Sequence, residues 1–324
     1  MSSAIPIAAS RVLVTGGAGF IGSHLVRELV RRGAERVIVV DSLRYGDRAN
    51  LGAFGERVEL IKYTLGHDAP DTLTRALEGV RSVFHLAAEK HNQSKDDPPR
   101  VFRSNVEGTH TLVDLALRAG VEKFVFSSSL YAYGRMHGGP FIEGELPRPR
   151  TVYGISKLAG EHIVAGLAEH AGKGHVSLRY LFVYGPRQYA GMGYKSVIVK
   201  NFERIVRGEA PTIYGDGRQA LDYVYVDDVV EATIRAMELP LSGEVINIGS
   251  GVATSVDALV QKMLEVSRAK LEKLYEPPDW TAGTLRVGDV SKAERLLSWR
   301  ATTSLEEGLR RTFAWLRERD GEKE

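Results

Sequence analysis

The run Thr15-Gly-Gly-Ala-Gly-Phe-Ile-Gly22 follows a short apolar stretch, Arg11–Thr15, and opens a helical pattern over Phe20–Arg31. Few folds accommodate that arrangement. Gly16, Gly19 and Gly22 are spaced so that the chain turns tightly, a pyrophosphate approaches bare backbone, and the helix packs close on the sheet. The start of the helix offers free N–H groups and a positive dipole end to phosphates. Asp41 ends the second apolar run 19 residues after Gly22, where a carboxylate accepts the hydroxyls of an adenosine ribose. A carboxylate there repels a 2′-phosphate, so the turn predicts NAD rather than NADP. Arg44, three residues further on, is the nearby cation that would favour NADP.

The rest of the first half repeats the same alternation. Arg36–Asp41, Val58–Ile61, Ser82–Leu86 and Lys123–Ser127 are short and nearly continuously apolar, as strands covered on both faces are. Between them, Thr72–Leu77 and Val101–Ala119 carry helical periodicity, and a third long helix, Thr151–Glu169, leads into a strand at His175–Tyr180. Strand and helix in alternation predict a doubly wound parallel α/β sheet of the Rossmann type. Beyond residue 180 the pattern changes, with helices at Ser196–Arg207, Asp227–Met237 and Ser304–Arg319 and strands at Ala220–Val226 and Glu244–Ile248. The expected organisation is a dinucleotide-binding domain over 11–180 plus 222–250. A smaller interleaved α/β substrate domain takes 181–221 plus 251–324, and 1–10 form a flexible tail.

Composition removes several other classes. Lys+Arg 43 against Asp+Glu 41 leaves +2, too balanced to advertise nucleic acid as a partner. Cys 0 excludes disulfides, thiolate metal sites and cysteine nucleophiles, and the histidines show no ligand spacing, so no metal is expected. No apolar run approaches the roughly 18–20 residues of a membrane span. A cytoplasmic enzyme without a membrane partner is the expectation.

Tyr153-Gly-Ile-Ser-Lys157 places a phenol and an ammonium four residues apart on one helix face. An ammonium beside a phenol lowers the phenol's pKa from about 10 toward neutrality. Such a phenol exchanges protons with a carbinol while a nicotinamide takes or returns hydride. The fifth strand ends in Ser127-Ser-Ser-Leu-Tyr-Ala-Tyr-Gly134, and ligands of open parallel sheets sit at the carboxyl ends of strands.

With these segments in hand, the chain resembles the extended short-chain dehydrogenase/reductase family, the NAD-dependent epimerases and dehydratases of nucleotide sugars. TGGAGFIG at 15–22, HLAA at 85–88, NVEGT at 105–109, YGISK at 153–157, VYGPRQ at 183–188, YGDGRQ at 214–219, YVYVDDVV at 223–230 and DVSKAERLLSW at 289–299 carry the likeness over nearly the whole chain. The resemblance implies that Tyr153 is the acid/base, Lys157 its partner and cofactor-ribose ligand, and Ser129 the hydroxyl sharing the substrate's proton. It implies cofactor contacts at Phe20, Ile21, Leu86, Ala87, Ala88, Lys90, Ser104, Ser127 and Tyr180, beside the glycines and Asp41. Asn105 is expected to be structural. A homodimer through helices near 101–119 and 151–169 is also implied.

Departures from the family pattern narrow the reaction. Its dehydratases carry Asp-Glu, and its decarboxylases a Glu, in the two positions after the catalytic hydroxyl, where this chain has Leu130 and Tyr131. Removing a proton next to a 4-keto group needs such a carboxylate, so 4,6-dehydration is disfavoured and 4-epimerisation of a nucleotide sugar is the expected activity. Phe182, Leu221 and Asp279 stand where the family usually has an Asn and two phosphate-facing Arg residues. They keep open an NAD(P)-dependent reductase or dehydrogenase of a non-nucleotide alcohol. Arg187, Lys195, Lys200, Arg218 and Arg286 are candidate replacements for the lost cations, with Lys195 preferred. Glu89, His91, Asn92, Tyr131, Phe182 and Trp280 complete the expected substrate contacts. At the adenine end, Thr64 replaces an expected acidic residue, with His67 and Asp68 displaced along the chain.

Overall fold

The computed structural model describes residues 4–52, 54–91, 93–134, 138–188 and 195–321. The first half runs β1 (Arg11–Thr15), α1 (Phe20–Arg31), β2 (Arg36–Asp41), β3 (Val58–Lys62), α2 (Pro70–Ala76) and β4 (Ser82–His85). Short helices α3 (Gln93–Asp96) and α4 (Pro98–Phe102) follow, then a π-helical turn at Arg103–Glu107 that continues into α5 (Gly108–Arg118). Next come β5 (Lys123–Ser129), α6 (Val152–His170) and β6 (Gly174–Tyr180). The second half contains β7 (Phe182–Tyr184), α7 (Val197–Val206), β8 (Thr212–Tyr214), β9 (Ala220–Tyr225), α8 (Val226–Glu238) and β10 (Glu244–Ile248). It ends with β11 (Ala253–Ser255), α9 (Val256–Ser267), β12 (Leu274–Glu276), β13 (Leu285–Arg286), α10 (Ser291–Leu297) and α11 (Leu305–Gly321).

Seven parallel strands form the central sheet in the order β10-β6-β5-β4-β1-β2-β3. Alternate residues serve opposite layers, the period-2 rule of a strand. In β1, Val12 and Val14 pack with Leu25, Leu29 and Val229 from α1 and α8, whereas Leu13 packs with Leu112 and Val164 from α5 and α6. The fold is thus a doubly wound, Rossmann-type α/β sheet. The strand order reverses between β1 and β4, and that switch point opens a crevice at the carboxyl ends of the strands.

Two features differ from expectation. Residues 4–10 do not form a flexible tail: Ile5 and Ile7 are fully buried in the core beside α1 and α8, and the Ala9 N–H donates to the Gly33 carbonyl at 2.9 Å. Strand β9, grouped by sequence with the large sheet in 222–250, pairs instead with β7, β11 and β13 in a second sheet. Its Tyr223 and Tyr225 face the core formed with α7, α9 and α11. A strand buried on both faces reads the same in either sheet, which is why its pattern did not distinguish them. Among the described residues no helix is long and apolar enough to cross a membrane.

Candidate active site

The glycine turn forms as its spacing requires. Gly16 has φ +70°, and a Cβ there would lie 2.8 Å from the Ala87 nitrogen; one at Gly22 would lie 2.1 Å from the Gly16 oxygen. Side chains are therefore excluded by backbone. Thr15 and Thr109 bracket His85 at 2.7 and 2.8 Å, and the Thr15 hydroxyl accepts the N–H groups of Leu86 and Ala87 at 3.1 Å. This string joins the ends of β1 and β4 beside the turn. Burial pushes the His85 imidazole down to about 3, so it serves as a neutral linker. Asp41 accepts N–H bonds from Ala18 at 3.0 Å and Leu43 at 2.8 Å, while burial raises its carboxyl against their influence.

A cavity of about 460 Å³ runs from Asp41 and the turn to Ser129 and Phe182. Every residue named above as a cofactor contact lines it, as do Ser129, Glu89 and Phe182. The π-helical turn delivers Ser104 to this wall and buries Asn105 behind it. Asn105 bonds the Glu89 N–H and carbonyl at 2.7 and 3.0 Å and the Ser156 hydroxyl at 3.0 Å, so it ties the loop after β4 to α6. At the opposite end Thr64 lines the cavity, and Asp68 turns back to accept its N–H at 2.7 Å.

Helix α6 begins with Thr151 capping the Gly154 N–H at 3.0 Å, a satisfied N-terminus. A Cβ on Gly154 would meet the Tyr131 carbonyl oxygen at 2.4 Å, so glycine allows the helix to sit against the end of β5. The Tyr153 and Ser129 side chains are thereby brought to the same cavity wall, and Lys157 lies 4.6 Å over the Phe126 ring, 3% exposed. The expected acidified phenol is not what this geometry produces. Burial pushes Tyr153 up to about 12 against the influence of Ser129, and pushes Lys157 down to about 7 against the attraction of Glu161. Spacing along a helix carries no information about desolvation, and here desolvation dominates both groups.

That depressed lysine has a measurable consequence. Between pH 7 and its unfolded value near 10.5 the unfolded chain holds a proton that the folded chain has lost, so stability rises with pH there. Lys157→Met is expected to raise the melting temperature of cofactor-free protein, most below pH 7, with the gap narrowing toward pH 10. Melting curves across that range check it; a gap independent of pH contradicts it.

Beyond Tyr153 the structure gathers an aromatic wall. His91 stacks on Tyr131 at 4.3 Å, and both rings lie edge-on to Tyr153, at 6.1 and 5.8 Å. Burial and the charges of Lys95 and Arg286 push His91 down to about 4. Arg286, 2% exposed, lies 4.7 Å over Phe182 and 5.7 Å over Trp280. It is in register with Leu221, and so stands beside one position of a missing cation.

The other candidates are placed elsewhere. Lys195 pairs with Glu203 at 2.5 Å, Lys200 bonds the Tyr214 hydroxyl at 2.6 Å, and Arg187 donates to the Asn50 carbonyl at 3.0 Å. Arg218 is 88% exposed beside Asp216. None of these four lines the cavity, and neither does Arg286; what sets Arg286 apart is its place over the ring of Phe182, which does line it. Glu89 lines the cavity, but its carboxylate is taken by Tyr45 and Arg100. Asn92 lies outside the described residues. Tyr45 was not anticipated; only its place in the loop after Asp41 pointed to it.

Comparison with known proteins gives this geometry its class. The NAD dependent epimerase/dehydratase family matches residues 12–249, and the chain belongs to it. A solved UDP-glucose 4-epimerase from Thermotoga maritima with UDP-glucose is 38% identical, covering 95% of this chain and 99% of that one, with a TM-score of 0.88. A UDP-glucuronic acid 4-epimerase from Bacillus cereus, solved with UDP-glucuronic acid and NAD, is 29% identical over 95% and 99% of the two chains, TM-score 0.85. A dTDP-glucose 4,6-dehydratase from Streptomyces griseus is 34% identical over 94% of each chain. The protein is an enzyme of this family, and NAD is its cofactor. The cradle fits: a bare-backbone turn against Ala87, a carboxylate at Asp41 and an amine at Lys157 face one cavity.

Proposed function

We propose that the enzyme is a nucleotide-sugar 4-epimerase. The observation that carries this reading is that Ser129 and Tyr153 line one cavity wall, with Ser129 followed by Leu130 and Tyr131 rather than by a carboxylate. In its phenolate form Tyr153 would accept, across the Ser129 hydroxyl, the proton that leaves the C4 oxygen, and would give it back when the hydride returns. Bound NAD supplies a ring that accepts the C4 hydrogen as hydride and returns it. Lys157, four residues along α6, is the cation that would favour that phenolate against desolvation. A 4-keto sugar that turns over in the cavity before the hydrogen returns emerges as the epimer. Without a carboxylate after Ser129, the C5 proton has no ordinary base, which speaks against dehydration.

Phe182 and Leu221 favour a second reading, an NAD(P)-dependent oxidoreductase of a non-nucleotide alcohol, because neither side chain can pair with a diphosphate; Arg286 is a described cation beside both. One experiment separates the two. Purified enzyme, given UDP- and dTDP-sugars in deuterated water without added NAD, should yield the C4 epimer with no deuterium at C4. Turnover only with stoichiometric consumption of added NAD(H) overturns the epimerase reading, and a 4-keto-6-deoxy product overturns it differently.

We also propose a homodimer through the α4–α5 segment and α6, supported by Phe102 at the end of α4 and Ile155 on α6, which stand 48% and 47% exposed. Sedimentation should give twice the 35.6 kDa chain mass; a monomer at micromolar concentration overturns it.

A further inference from the structure

We propose that Glu89 is a positioning residue: its carboxylate clasps the loop after β2 across the dinucleotide groove and sets how slowly NAD leaves. The clasp is anchored at both lips. On one side the loop after β2 is seated on the glycine turn: the Asp47 N–H and the Asn50 side-chain amide both donate to the Ala18 carbonyl, at 3.1 and 2.9 Å. A Cβ on Gly46 would come within 2.8 Å of the Ala18 carbonyl carbon, so no larger residue fits that seat. On the other side Asn105 fixes the Glu89 backbone through both its N–H and its carbonyl.

Between these anchors the Tyr45 hydroxyl donates to one Glu89 oxygen at 2.6 Å, and Arg100 Nε donates to the other at 2.7 Å. In the sheet, β1 lies between β2 and β4, so a bond joining the loops after β2 and β4 crosses the end of β1, where the glycine turn begins. Tyr45, Glu89 and Lys90 all line the cavity, and Lys90 Nζ sits 4.5 Å over the Tyr45 ring. Glu89 is 5% exposed, so solvent screens these charge-assisted bonds little. A dinucleotide lying on the turn must part this contact to escape. The clasp rests on NAD binding alone and holds whichever reaction the enzyme performs.

The test measures cofactor exchange, which a merely structural role for Glu89 would not move. Holoenzyme is loaded with NAD and chased with excess isotopically labelled NAD, and the retained nucleotide is weighed by mass spectrometry over time. Tyr45→Phe deletes one hydroxyl from a surface loop. Glu89→Gln keeps the shape but turns an acceptor into a donor facing donors. Each is expected to speed release about tenfold, or about 1.4 kcal/mol, and the double variant no more than either single one. Release within twofold of wild type in Tyr45→Phe overturns the clasp. So does a double variant whose acceleration equals the product of the two single effects, because independent sites multiply. Should Glu89→Gln not fold, Tyr45→Phe alone decides the matter.

Discussion

Tyr153→Phe is expected to cut turnover by about 10²–10⁴-fold, the range for loss of a positioned acid/base, with NAD still bound and the fold intact. The phenol lines the cavity beside Ser129, while its ring packs edge-on to Tyr131 and His91. Phenylalanine keeps those ring contacts and deletes only the oxygen, so the loss belongs to chemistry and not to packing. Retained NAD, read after acid release, and an unchanged KM complete the expected result. Wild-type turnover in this variant would mean that another group moves the proton; Tyr131, whose ring lies 5.8 Å from that of Tyr153, is the candidate.

Much of this site was legible because its parts are local. The strands β1, β2 and β10 coincide with their apolar runs, and α1 begins and ends where its periodicity does. The glycines announce a backbone shape that few side chains permit, and Tyr153 and Lys157 announce one helix face. What escaped notice depends on contacts between distant segments. Ile5 and Ile7 are too few to show a period, and they are buried only because α1 and α8 provide a surface for them. Lys195 carried the right charge in the right loop, but Glu203, two turns away on α7, neutralises it. Arg286 gains its place from register with β9, and Tyr45 from a bond spanning 44 residues. Neither relation leaves a trace in local pattern.

The desolvation that raises Tyr153 and lowers Lys157 belongs to the same category. A helix wheel places the two groups together, but only the packed structure shows that α6 presses both against β5 and away from water. In an aqueous helix the ammonium would acidify the phenol; in this cavity each charged form is disfavoured by its surroundings. Their pairing therefore matters most once substrate and cofactor fill the cavity. Below about pH 7 the buried cation of Lys157 is costly to the empty fold.

Gly22→Ala is expected to weaken NAD binding by ~100-fold, or about 2.7 kcal/mol, and to lower the melting temperature by several degrees. Gly22 lies in the first turn of α1, in a backbone conformation any residue adopts, so only contact is at issue. The added carbon would lie 2.1 Å from the Gly16 oxygen and 2.7 Å from the Gly17 Cα, both backbone atoms that no rotamer change can move aside. Helix α1 must then retreat from the turn, and overpacking of this kind costs about 1–3 kcal/mol, occasionally more. The retreat also carries away the helix N-terminus whose N–H groups face the phosphates. Gly33→Ala is the matched control: it has φ +82° and nothing within 4 Å, so it is strained but crowds no neighbour. Calorimetric titration with NAD should show weakened binding for Gly22→Ala and near-native binding for Gly33→Ala. Affinity within threefold of wild type in Gly22→Ala would show that the dinucleotide does not depend on close packing of helix against turn.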